Sequence, residues 1–171
     1  MYRVTPKKRY SYTIEFLQSV LPAPATLLDL GVRNELSEIM ESYGYKVVNT
    51  GGEDLDTNLD LVREAEVDAV TAFEIFEHLV SPFNVLSAIP SNKLIATVPL
   101  NLWFARAYKS DTDPWDRHFH EFEDWQFDWL VEKAGWTIKN MEKWTSPVPK
   151  LGFRPFLRKF TPRYYAVYAE K

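Results

Sequence analysis

The sequence predicts an α/β protein, a mostly parallel sheet with helices on both faces and one antiparallel edge strand. Three observations predict it. Short apolar or β-branched runs alternate with helical patterns over residues 26–134, the order of repeated βα units. The run Leu27-Leu28-Asp29-Leu30-Gly31 carries an apolar strand into a glycine turn directly before a helical pattern. The last two strand patterns, 136–143 and 164–169, have no long crossover helix between them, which favours antiparallel pairing.

An amphipathic helix is expected over 12–20, with Ile14, Phe16, Leu17 and Val20 on its apolar positions and Pro22 and Pro24 beyond its end. A strand over 26–30 leads through Gly31 to a helix over 34–43, and Gly44 suits its C-terminal cap. A second strand spans 45–49 and is broken by Gly51-Gly52. A short helix over 59–65 precedes a β-branched strand over 67–73. After a turn over 74–79, Ser81 is placed to cap a helix that Pro82 opens and that runs to about 89. An apolar strand over 93–98 stops at Pro99, and residues 101–117 are irregular and aromatic. A helix over 122–134 ends at Gly135. Between the last two strands lies a basic insertion, 145–162, with its own short helix near 153–160.

The 171 residues fit a single domain, and the 46% apolar content supplies its core. The six Trp, nine Tyr and eleven Phe both fill a core and line clefts. Cysteine is absent, which excludes disulfides, thiolate zinc sites and cysteine nucleophiles. No apolar run reaches the length of a membrane span and residues 1–10 lack a signal-peptide pattern, so a cytoplasmic protein without a membrane partner is expected. The net charge of −4 gives no general case for nucleic acid as a partner. The charge is uneven: residues 29–77 are acidic, while Arg3, Lys7, Lys8 and Arg9, then Lys150, Arg154, Arg158, Lys159 and Arg163, make both ends basic. These ends read as a solubilising surface or as a rim for an anionic substrate.

In an open parallel sheet, ligands bind beyond the carboxyl ends of the strands. That places Gly31 and residues 49–54, 73–78 and 99–120 around one cleft. Gly31 lets a ligand approach the backbone, and the helix start beyond it offers free N–H groups. The segment 27–35 resembles the first motif of class I S-adenosylmethionine-dependent methyltransferases, an acidic residue followed by three alternating glycines. Asp29 and Gly31 match. Arg33 and Glu35 stand where the second and third glycines would be, and their side chains would crowd the methionine part of the cofactor.

The resemblance continues along the chain. Phe73-Glu74-Ile75-Phe76-Glu77-His78 before the Pro82 helix resembles the family stretch with a Glu-His pair after strand four. Thr97-Val98-Pro99 resembles the end of strand five, and His118, Phe122 and residues 130–136 resemble the closing pattern. Together these cover about residues 25–140 in family order. The resemblance implies a Rossmann-like fold and S-adenosylmethionine as cofactor. Asp29, Gly31, Asp54 and Phe73 are the implied cofactor residues. Asp54 or Asp56 would stand in for the ribose-binding acid that normally ends strand two, where this chain has Asn49-Thr50; Phe73 would pack near the adenine.

Glu74, Glu77 and His78 are spaced i, i+3 and i+4, which puts all three on one face of a helical turn. Two carboxylates and an imidazole suit magnesium, manganese or zinc. The group is similar to that of metal-dependent O-methyltransferases, both those acting on catechol-like ubiquinone precursors and those methylating the terminal 2′-hydroxyl of small RNAs. The RNA group takes a later His from an Asp-His-x-Phe-Glu-Trp type stretch as a fourth ligand. Arg117-His118-Phe119-His120-Glu121-Phe122 stands at a comparable place and departs at Arg117, His120 and Phe122. The implied ligand set is Glu74, Glu77, His78 and His118. Such an ion would lower the pKa of a substrate hydroxyl. Without one, His78, His118 or His120 is a candidate general base, and Glu77 and His78 otherwise only cap a helix or hold a loop.

The expected function is S-adenosylmethionine-dependent O-methylation of a small or anionic acceptor, with residues 100–115 and 145–162 as a lid. The rival is a non-catalytic binding or scaffold module of the same fold, which Arg33 and Glu35 favour. A nicotinamide oxidoreductase would need a G-x-G-x-x-G turn that residues 30–36 lack.

Overall fold

The computed structural model describes residues 5–113, 116–147 and 151–171, with side chains from residue 7 onward. Arg3 and Lys150 of the basic ends and Trp115 of the lid lie outside the described residues. In chain order the elements are α1 (Thr5–Val20), β1 (Thr26–Asp29), α2 (Glu35–Ser42), β2 (Lys46–Asn49), α3 (Asp60–Arg63) and β3 (Ala69–Phe73). A short 3-10 turn (Phe76–His78) follows, then α4 (Pro82–Ala88), β4 (Lys93–Pro99), α5 (Asp124–Lys133), β5 (Thr137–Thr145), α6 (Phe153–Leu157) and β6 (Pro162–Glu170).

The six strands form one sheet in the order β2-β1-β3-β4-β6-β5. β2, β1, β3 and β4 are parallel to their neighbours, and β6 runs antiparallel to both β4 and β5. The antiparallel pairing expected from the end of the chain is present at that edge, with the reversed strand second from the edge. Burial explains the placement. β6 is buried along most of its length, whereas β5 is mostly exposed, so the more apolar strand takes the inner position and the polar one the rim.

Helices cover both faces. One face packs Leu59 and Val62 from the α3 region, Val85 and Leu86 of α4, and Phe127 and Val131 of α5 against Leu28, Val70 and Val98. The other packs Ile14, Phe16 and Leu17 of α1 and Leu36 and Met40 of α2 against Leu27, Ile95 and Tyr168. α1 begins at Thr5, about two turns before the expected start at residue 12. The expected helix at 59–65 is a single turn.

Local chemistry fixes the loops at the carboxyl end of the sheet. Asn34 caps α2, its side chain accepting from the N–H groups of Leu36 (2.8 Å) and Ser37 (3.4 Å). The start of α4 is held differently from expectation. The Ser81 side chain makes no capping bond; instead the Asp56 carboxylate accepts from the N–H groups of Val80 and Ser81, each at 2.8 Å. The chain passes from β1 outward to β2 and then returns to the other side of β1 at β3. This reversal opens the crevice where ligands of such sheets bind.

Candidate functional site

Two adjoining cavities lie beyond the carboxyl ends of β1, β3 and β4. The smaller, about 290 Å³, is bordered by Asp29, Gly31, Val32, Phe73, Ile75 and Thr97. The larger, about 810 Å³, is bordered by Glu77, His118 and Glu121 and by the cations Arg106, Lys109, Arg154 and Arg158. Arg9, Glu74, His78 and Asp116 border both, and so mark the junction between them.

The smaller cavity is shaped by the turn after β1. Gly31 has a φ of +110°, a backbone state that side chains disfavour, and a Cβ there would lie 3.0 Å from Ile75 Cδ1. Its N–H donates to Thr50 Oγ1 at 2.7 Å. Asp29 borders the cavity, but its carboxylate is buried and already partnered. It accepts from Thr71 Oγ1 (2.7 Å), Asn49 Nδ2 (3.0 Å) and Ser37 Oγ (3.4 Å). Burial raises the Asp29 pKa to about 6 against the lowering effect of these hydrogen bonds. Asp29 thus braces the turn from beneath.

The crowding expected from Arg33 and Glu35 does not occur. Arg33 turns outward and pairs with Glu41 at 2.5 Å, and Glu35 is exposed on the first turn of α2. Val32, Asn34 and Leu36, the alternate residues, face the cavity.

Asp54 is exposed and accepts from the Asp56 N–H at 3.0 Å, and Asp56 is engaged with the start of α4. Sequence reading passed over Glu53, whose Oε1 is buried without a hydrogen-bond partner. Its loop lies beside the cavity, since a Cβ on Gly52 would lie 3.0 Å from Val32 Cγ2.

The larger cavity holds the histidines. Glu77, His78 and His118 each offer one ligand atom within 4.8 Å of the others. Glu77 is 1% exposed, and its Oε2 has no partner. Burial, with the nearby Glu74 charge, pushes its pKa well above the usual carboxylate range. His78 Nδ1 lies 2.9 Å from the Arg117 carbonyl and His118 Nδ1 lies 2.8 Å from Glu121 Oε1. Both partners are acceptors, so each neutral ring carries its proton on Nδ1 and leaves Nε2 with a lone pair. Burial lowers the His78 pKa, which favours its neutral form. Glu121 is held below the ordinary carboxylate range: burial would raise it, but bonds from His118 and the Tyr108 N–H outweigh that. The loop carrying His118 is clasped to the 3-10 turn by its backbone, with the Phe119 N–H donating to the Glu77 carbonyl at 2.8 Å.

Glu74 departs from the expected shared face. It has a φ of +60°, so the chain enters the 3-10 turn through a left-handed residue rather than a continuous helix. Its carboxylate accepts from Thr97 Oγ1 (3.1 Å) and faces Arg9 at 3.5 Å. His120 also separates from the group: it stacks on Phe122 at 5.3 Å and faces a different pocket, near Val80 and Phe83. Glu121 was not anticipated as a site residue, although its i, i+3 spacing from His118 was a readable signal; Arg9 was expected only as part of a basic rim, and its pairing with Glu74 arises through tertiary packing of α1.

The fold is that of class I S-adenosylmethionine-dependent methyltransferases. The 1,6-didemethyltoxoflavin-N1-methyltransferase of Burkholderia thailandensis, solved with 1,6-didemethyltoxoflavin and S-adenosylhomocysteine, is similar over 98% of this chain and 80% of that one (TM-score 0.67, 16% identity). A SAM-dependent methyltransferase from Archaeoglobus fulgidus is similar over 95% of this chain and 94% of its own (TM-score 0.64, 16% identity). The [4+2]-cyclase SpnF is similar over 95% of this chain and 81% of its own (TM-score 0.56, 14% identity), so the reaction must be argued from the site. No protein-family model matches the chain, and no curated protein matches it.

Proposed function

We propose that this chain is an S-adenosylmethionine-dependent methyltransferase acting on an oxygen of an anionic acceptor. The observation that carries the reading is the convergence of Glu77, His78 and His118 in the larger cavity, with His78 bordering the smaller one as well. The smaller cavity suits the cofactor: Gly31 keeps its floor open, Phe73 supplies an apolar wall, and Glu53 offers a buried, unpartnered oxygen to a ribose hydroxyl. Glu53 replaces Asp54 in this reading because Asp54 is exposed and engaged with its own turn.

The larger cavity suits the acceptor. Arg106, Lys109, Arg154 and Arg158 border it and have no ion-pair partner among the described residues, so they are available to an anionic group. The donor set fits a divalent ion: a buried orphaned carboxylate oxygen and two imidazoles whose outer nitrogens are fixed by a carbonyl and a carboxylate. Glu77, His78 and His118 would hold the ion, and Glu74 would stand behind them, tied to Arg9 and Thr97. When bound, a divalent ion supplies Lewis acidity that lowers the pKa of an acceptor hydroxyl. The chain's own part is to fix the two histidine tautomers and to hold the acceptor's charge with the arginine rim.

Titration calorimetry with S-adenosylhomocysteine tests the reading. Binding is expected, and manganese is expected to raise the melting temperature of the wild type but not of His118→Ala. No binding at millimolar S-adenosylhomocysteine would overturn the methyltransferase reading; an equal manganese effect on both proteins would remove the ion from it.

A further inference from the structure

The insertion before β6 has a charge pattern unlike the rest of the chain. From Lys143 to Ala169 there is no acidic residue, while Lys143, Lys150, Arg154, Arg158, Lys159 and Arg163 are cationic, in a chain of net charge −4. Its short helix is two-faced. At 100° per residue, Phe153 and Phe156 fall within an arc of about 60° and Arg154 falls on the other side, while Arg158 and Phe160 follow in the turn that ends the helix. Arg154, itself exposed, and the half-buried Arg158 border the large cavity, whereas Phe153, Phe156 and Phe160 are 69%, 58% and 70% exposed beside a fully exposed Leu151. Phe156 and Phe160 pack on one another, ring centroids 5.3 Å apart, and so present one apolar ridge.

A contiguous apolar ridge in water is unfavourable and marks a contact surface. The charge around it selects the occupant. A second copy would bring the same positive charge against this one. A nucleic acid would need cations in place of the ridge, and here the most protruding side chains are Leu151 and three phenylalanines, with the exposed Arg154 and Lys159 only flanking them. An anionic bilayer meets both requirements, with acyl chains for the ridge and headgroup charge for the basic flanks. We propose that α6 and its flanking residues seat this chain on the surface of an anionic membrane, with Leu151, Phe153, Phe156 and Phe160 entering the headgroup boundary. The absence of a spanning segment bears on crossing a bilayer, not on resting upon one, which needs only an amphipathic element. Seated in this way, the Arg154–Arg158 wall of the larger cavity lies next to the lipid surface. The inference stands independently of the reaction proposed above.

Vesicle flotation tests it, comparing pure phosphatidylcholine with a roughly 3:1 mixture of phosphatidylcholine and phosphatidylglycerol. The wild-type chain is expected to partition at least about tenfold more strongly to the anionic vesicles, and less so as salt rises. Phe156→Ser with Phe160→Ser is expected to reduce that partition by about tenfold, with the circular dichroism and melting temperature unchanged because both rings are exposed. No preference for anionic vesicles, or equal partition of the variant, overturns the proposal. So does a dimer in sedimentation that the variant loses, or a single-stranded oligonucleotide that binds the wild type and not the variant.

Discussion

Replacing Glu77 by Gln separates the energetics of the site from its chemistry. The Glu77 carboxylate is 1% exposed, one oxygen lacks any partner, and Glu74 is near enough to oppose its ionisation. Burial and then Glu74 raise its pKa well above the ordinary range. A carboxyl whose folded-state pKa is raised favours folding most when protonated, and that contribution is lost as pH rises through the raised value. Glu77→Gln keeps the shape and removes the charge. The orphaned carboxylate oxygen carries a desolvation penalty of about 1–3 kcal/mol or more, and an amide reduces that penalty. A change of 1 kcal/mol moves the melting temperature of a chain this size by about 2–4 °C. Glu77→Gln is therefore expected to melt about 2–12 °C above wild type at about pH 8 in chelator, with the gap closing toward about pH 5. A divalent ion should reverse the order: at about 100 times its Kd it adds about 2.7 kcal/mol, and only to the protein that retains the carboxylate. Scanning fluorimetry at both pH values, with chelator or with manganese, reads all four conditions. A variant that melts at or below wild type in chelator at the higher pH refutes the burial argument. An equal rise with manganese in both proteins refutes the ligand role.

Two further outcomes follow from the floor of the smaller cavity. Gly31→Ala places a side chain at φ +110° and 3.0 Å from Ile75, so a stability loss of about 1–3 kcal/mol is expected by denaturant titration, together with weaker S-adenosylhomocysteine binding, because Ile75 borders the same cavity. Burial raises the Asp29 pKa to about 6 in the fold from an ordinary 3.8, so its contribution is full below the lower value and is lost as pH rises through the higher one, up to about 3 kcal/mol. Asp29→Asn is expected to flatten the fall in stability between these pH values; an unchanged slope in denaturant titrations would place its origin elsewhere.

Much of the fold was legible because its determinants are local. β3 and β4 are nearly continuous apolar runs, as strands buried on both faces must be, and Gly31, Gly44 and Gly135 stand at positive φ where turns or helix ends require it. The start of α1 was not legible, since nothing apolar marks its first turns. At the site, the adjacent pair Glu77-His78 could be read from spacing, the later His118 only from the family resemblance, and the three converge. Glu74 could not be placed that way. Its left-handed backbone is imposed by the passage from β3 into the 3-10 turn, which sends the carboxylate to Thr97 and Arg9. Glu53 was hidden for a similar reason: exposed Asp54 and half-buried Glu53, with its Oε1 enclosed, are adjacent acids, and only tertiary packing distinguishes them.

The same reasoning bears on the choice between enzyme and scaffold. The scaffold reading rested on Arg33 and Glu35 in place of two glycines. A glycine is needed physically where φ is positive or where a side chain would fill ligand space. Gly31 meets the first condition, with φ +110°. Neither condition holds at the other two positions. Glu74 is the only non-glycine residue at positive φ among the described residues, and Arg33 and Glu35 project away from the cavity, one into an ion pair with Glu41 and the other into solvent. The departure from the motif therefore leaves the cavity open. Restoring glycine at residue 33 should leave S-adenosylhomocysteine affinity unchanged, removing only an exposed ion pair whose typical contribution to stability is about 0–1 kcal/mol.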